Sequence, residues 1–101
     1  MEKTKNERRR ATRHDVRTRV SVRLKDRGAY EHAHLMNLGR DGLYIIARRK
    51  MSVGTRIEIR IATEIAGEED IHIQAEVIRV GSHRSWGLFS YACRVIAFPA
   101  L

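Results

Sequence analysis

The sequence predicts an all-β domain, an antiparallel barrel or sandwich. Three observations carry that prediction. About six short segments alternate apolar and polar residues at period two, turn residues separate them, and no stretch has the spacing of a crossover helix of about ten residues or more. The length of 101 residues holds one small domain with a single core, and 43% apolar residues exclude a disordered chain.

Each element has its own signal. From Val16 the pattern turns period two, with Val16, Thr18, Val20, Val22 and Leu24 on one face and Arg17, Arg19, Ser21, Arg23 and Lys25 on the other. That is a half-buried strand with a basic outer face. Asp26-Arg27-Gly28 supplies a turn, and Ala29 to Asn37 returns as a second strand. It ends before Leu38-Gly39-Arg40-Asp41-Gly42, where Asp-Gly is a strong turn signal. Leu43 to Ala47 reads as a buried third strand and Lys50 to Gly54 as a loop. Arg56, Glu58 and Arg60 alternate with Ile57, Ile59 and Ile61 as the fourth strand, and Ala62 to Asp70, with Glu64, Gly67, Glu68 and Glu69, is an acidic hairpin loop. Ile71 to Val80 alternates again, with an irregular end. After Gly81-Ser82-His83-Arg84, Trp86 to Phe98 is a last strand with a bulge, or a strand followed by a short C-terminal helical turn. The chain thus divides into a basic segment, residues 1–15, expected to be flexible because little but Ala11 anchors it, and a β domain, residues 16–101.

The charge is unevenly placed. Met1 to Lys25 holds ten basic and three acidic residues, whereas Asp26 to Leu101 holds ten and nine, so +7 of the net +8 lies in the first quarter. Such an excess points to an anionic partner: nucleic acid, nucleotide or membrane surface. The polar Met1 to Arg10 lacks the apolar core of a signal peptide, and the apolar run Leu43 to Ala47 is too short to span a bilayer, so neither secretion nor membrane insertion is expected. Cys93 is the single cysteine, which excludes an intrachain disulfide and fits a reducing cytoplasm.

No enzyme is supported. The histidines His14, His32, His34, His72 and His83 sit beside no nucleophile motif. His32 and His34 share a strand face but lack a third and fourth metal ligand, so they read as exposed strand histidines and no metal is expected. Cys93, among Ala92, Val95 and Ile96, reads as a small core residue. Gly39-Arg40-Asp41-Gly42 lacks the third glycine and the following helix of a dinucleotide fingerprint.

Two short features gain meaning together. Arg8-Arg9-x-x-x-Arg13 stands immediately before the first strand, and Asn37-x-Gly39-x-x-Gly42 stands at the end of the second. The pair resembles the hallmarks of the PilZ domain family, RxxxR in a flexible N-terminal segment and (D/N)xSxxG at a strand end, on a six-stranded antiparallel β-barrel. Glu7-Arg8-Arg9, Val53-Gly54-Thr55 and Trp86-Gly87-Leu88-Phe89 add to the likeness, which covers roughly residues 7 to 98.

The resemblance implies binding of cyclic di-GMP, the bacterial second messenger, with no other cofactor. That ligand carries two phosphates and two guanines, and an arginine fork suits both guanine O6/N7 and phosphate. By the resemblance the binding residues are Arg9 and Arg13, with Arg8 assisting, facing Asn37, Gly39 and Gly42. Asn37 can meet a guanine edge, and Gly42 is expected to allow a left-handed turn. Gly39 stands where the family has Ser. A hydroxyl contact to the ligand is therefore missing, which costs about 0.5 to 1.5 kcal/mol. The expected mechanism is ordering of the arginine segment by the ligand, which offers a new surface to a separate, unidentified effector protein. Two alternatives stand beside it. One is a degenerate family member that acts as a protein adaptor without the nucleotide. The other is a small β-barrel nucleic-acid module using Arg17, Arg19 and Arg23. That last reading is disfavoured because Tyr30, Tyr44, Tyr91, Trp86, Phe89 and Phe98 are expected mostly in the core rather than on a stacking surface.

Overall fold

The alternating stretches all become strands. The computed structural model describes residues 14–63, 65–82 and 87–98. Its elements are β1 (His14–Leu24), β2 (Arg27–Leu38), β3 (Gly42–Ala47), β4 (Arg56–Ile61), β5 (Ile71–Ser82) and β6 (Phe89–Ala97). They close into an antiparallel barrel in the order β1-β2-β3-β6-β5-β4. Of the two architectures the alternation allows, the barrel is therefore the one formed. No helix occurs among the described residues. The C-terminal helical turn has no counterpart as far as Phe98, and residues 99–101 lie outside the description.

Strand boundaries move where pairing outweighs local pattern. β1 starts at His14, two residues before the alternation is visible, because His14 and Asp15 pair with Leu38 and Asn37. The turn predicted at Asp26-Arg27-Gly28 contracts to Lys25-Asp26, with Asp26 itself at a φ of 57°. Gly28, at a φ of 72°, falls inside β2, where the register with β1 shifts. Its freedom serves a strand irregularity rather than the turn. The bulge expected in the last strand is present: Gln74 faces Ala97 and Ala75 faces Val95, which leaves Ile96 as the extra residue.

The core is a stack of cross-strand rows. Leu35, Ile45 and Tyr91 form one, Leu43, Cys93 and Val77 another, and Val22, Ile59 and Ile73 a third, all buried. Only Tyr91 among these carries a hydroxyl, and its buried position demands partners. The hydroxyl donates to the Arg49 carbonyl at 2.6 Å and accepts from the Met51 N–H at 2.9 Å, which ties the loop after β3 to β6. Burial pushes the Tyr91 phenol above its ordinary value, with the Met51 N–H acting against the shift.

The expected mostly buried aromatics are a correction. Tyr91 alone is fully buried among those described, Phe89 packs partly against the core, and Phe98 is exposed. Tyr30 and Tyr44 are half-buried, and Tyr44 stands on the outer wall with its ring available.

Cys93 is the small core residue its neighbours implied, 2% exposed. Burial raises its thiol to about 12. Because the raised value favours the protonated thiol in the fold, the stability this contributes is complete below about pH 9 and is lost as pH rises towards about 12. Iodoacetamide at pH 8 is expected to leave Cys93 unlabelled in the folded protein and to label it fully in denaturant. Rapid labelling without denaturant would contradict this burial.

Candidate functional site

Met36 shapes the end of β2. Leu35 faces Ile45 and Asn37 faces Tyr44, so Met36 has no residue opposite it on β3. On its other side β1 compensates by setting Val16 and Arg17 against it, between the Asp15–Asn37 and Thr18–Leu35 pairs. An irregularity on both edges bends the strand end and re-aims the next side chain, that of Asn37. The Asn37 Oδ1 is buried and has no hydrogen-bond partner among the described residues.

The turn after β2 is tightly closed. The Gly39 N–H donates to the Gly42 carbonyl at 2.8 Å, and the Val95 N–H donates to the Asp41 carbonyl at 3.0 Å, which ties the turn to β6. Both glycines are buried. The expectation that Gly42 supplies left-handed backbone is not met. Gly42 is already a ladder residue of β3, opposite Arg94, and the positive-φ residues among those described are Asp26, Gly28, Gly54, Gly67 and Gly87. What Gly42 contributes is the absence of a side chain at a buried point between Asn37 and β6.

Directly paired residues share a sheet face, so the register lays out the outer wall. Asn37, Tyr44, Ala92 and Arg79 form one outward row, and Gly42, Arg94, Glu76 and Arg56 form another. Arg94 is engaged, its Nη2 lying 2.5 Å from Glu76 Oε1. Arg40 and Arg79 are exposed and have no carboxylate partner among the described residues. A wall and turn that carry guanidiniums without carboxylate partners, an unpaired amide oxygen and a half-buried phenol ring suit a ligand that is anionic, planar and rich in donors.

Of the residues singled out from sequence, Asn37, Gly39 and Gly42 are brought together here, and Arg8, Arg9 and Arg13 lie outside the described residues. Their attachment point is nevertheless fixed. Arg13 directly precedes His14, and His14 and Asp15 pair with Leu38 and Asn37, so the arginine segment joins the barrel at the Asn37 corner. Tyr44 and Arg79 are additions to the site. A period-two count outward from Gly42 picks out Tyr44 and Ile46, a signal hidden by reading Leu43 to Ala47 as simply buried.

The opposite wall is electrostatically satisfied. Arg23 Nε lies 2.6 Å from Glu58 Oε1, Arg60 Nε lies 3.6 Å from Asp70 Oδ2, and both guanidiniums stack on Tyr30 at 4.8 and 4.7 Å. Arg23 is thus committed within the protein, which weakens the reading of β1 as a nucleic-acid stripe. His32 and His34 are exposed, and no group of three or more His, Cys, Asp or Glu suited to a metal occurs among the described residues.

The model of the PilZ domain matches residues 7–98 of this sequence. Among solved structures, Inhibitor of motility (MotI/DgrA) of Bacillus subtilis is similar in fold, with a TM-score of 0.67 at 16% sequence identity. The likeness covers 92% of this chain and 44% of that one, so the chain spans less than half of that protein's length. No curated protein matches the sequence.

Proposed function

The chain belongs to the PilZ domain family, and from that we propose that it is a cyclic di-GMP receptor whose arginine segment closes over the Asn37 corner when the nucleotide binds. The family is one of receptors and adaptors rather than enzymes, and cyclic di-GMP with an effector protein is its implied partner set.

One observation carries the reading for this chain: Asp15 pairs with Asn37. Arg13 is two residues from Asp15, so its Cα stands within about 7 Å of that pair, and Arg9 within about 22 Å. Both arginines are therefore tethered within reach of the Asn37 corner. The unpartnered Asn37 Oδ1 adds a second reason. A buried acceptor left unpaired costs about 1 to 3 kcal/mol, which a donor from a guanine edge or an arginine restores.

The mechanism follows from charge. Arg8, Arg9, Arg10 and Arg13 repel one another, and a ligand with two phosphates neutralises them as it draws them onto the outer wall. Arg9 and Arg13 grip phosphate and guanine in fork geometry, and Arg8 assists. Asn37 reads a guanine edge, while Gly39 and Gly42 keep the corner low enough for the ring to approach. The surface formed by the closed segment and the ligand is what an effector protein recognises.

Serine at position 39 tests the corner. Gly39→Ser is expected to tighten cyclic di-GMP binding roughly two- to twelvefold in calorimetric titration, by restoring the hydroxyl contact. Weaker binding would mean that the buried Gly39 is needed for close approach. No heat of binding at high micromolar nucleotide, in wild type and variant alike, would decide for the nucleotide-independent adaptor.

A further inference from the structure

We propose that the groove beside the Asn37 corner, between Arg19, His34 and Arg48, holds the second guanylate half of the ligand. This rests on the cyclic di-GMP reading and extends it to residues that neither motif includes. The groove encloses about 440 Å³, against about 240 Å³ for the concavity beside Tyr30.

The register places the groove next to the corner. Arg19, His34, Ile46 and Ser90 form an outward row, and Ile46 lies two residues along β3 from Tyr44. Rows two residues apart are separated by about 7 Å. A ligand with one guanine at Asn37 and Tyr44 therefore reaches the groove with its other half along the same face.

Its lining matches a nucleotide. The floor is apolar: Ile46 is only 7% exposed although its neighbours Ile45 and Ala47 occupy the inward face, and half-buried Leu88 adjoins it. Such a floor accepts the flat face of a purine. The rim is cationic and imidazole-bearing, with Arg19, Arg48, His32 and His34 all exposed. Glu31, the carboxylate of the lining, is held by Arg49 Nη2 at 2.8 Å. Arg19 and Arg48 have no carboxylate partner among the described residues. Phosphate on Arg19 and Arg48 with guanine over Ile46 uses the cationic rim and the apolar floor.

The test titrates cyclic di-GMP into the full chain, wild type and Arg19→Ala, Arg48→Ala and Asn37→Ala, with melting temperatures to show that each remains folded. Binding by wild type at one nucleotide per chain, with each groove variant weakened about tenfold or more, is expected. Side-chain resonances of His32 and His34 should also move on titration of wild type. Unchanged affinity in both groove variants together with weakening in Asn37→Ala overturns the groove and leaves the receptor reading standing. Two nucleotides per chain, with the groove variants losing only one, overturns the assignment to a second half of the same molecule. Absence of binding by wild type overturns the receptor reading, and the groove with it.

Discussion

Alanine at both Arg9 and Arg13 is expected to weaken cyclic di-GMP binding at least a hundredfold. Each arginine supplies a charge-assisted contact worth about 1.5 to 3 kcal/mol, so losing both removes about 3 kcal/mol or more. Both residues precede the first strand, and the melting temperature is expected to stay unchanged. Calorimetry checks the affinity and circular dichroism the fold. Affinity should also fall as salt rises, since +7 of the net +8 lies in residues 1–25, which hold the arginine segment, and these charges are screened by ions. Binding equal to wild type in the double variant would remove these residues from the site.

The largest stability effect is expected at Tyr91. Its side chain is fully buried on β6, between β3 and β5, and its hydroxyl is bonded twice, to the Arg49 carbonyl and the Met51 N–H. Tyr91→Ala leaves a cavity and two unpaired backbone groups, with an expected loss of about 3 to 5 kcal/mol. Since a domain of this kind has about 5 to 15 kcal/mol in all, the variant should be largely unfolded at moderate denaturant. Tyr91→Phe keeps the ring, strands only the two backbone groups, and should lose about 1 to 3 kcal/mol. Urea melts of the two variants separate packing from hydrogen bonding. A Tyr91→Phe midpoint equal to that of wild type would mean that water replaces the hydroxyl at Arg49 and Met51.

Much of this architecture is legible in the sequence, and the places where it is not share a cause. β4 runs from Arg56 to Ile61 as its alternation requires, because every second residue is an isoleucine that must face the core. The inward face of β1, Val20 and Val22 with Thr18 half-buried, is equally plain. Met36 is different. Nothing in Leu35-Met36-Asn37 marks a bulge, since a bulge is a mismatch between strands distant in sequence. Gly28 reads as part of the turn because glycine marks turns and bulges alike. Gly42 reads as left-handed because Asp-Gly commonly is, whereas here it already pairs with Arg94. At the site, Asn37, Gly39 and Gly42 are visible through their resemblance to the family motif. Tyr44 and Arg79, and the Arg19 groove, belong to the wall only through register, which short motifs do not encode.

A single nucleotide site built from the arginine segment and the Asn37 corner has one clear signature in backbone amide resonances during titration with cyclic di-GMP. Arg9, Arg13, Asn37 and Gly42 are expected to shift together, with one common dissociation constant, while amides around Tyr30 on the opposite wall remain still. Saturating nucleotide that leaves Asn37 and Gly42 unmoved, or moves them without Arg9 and Arg13, would contradict a shared site.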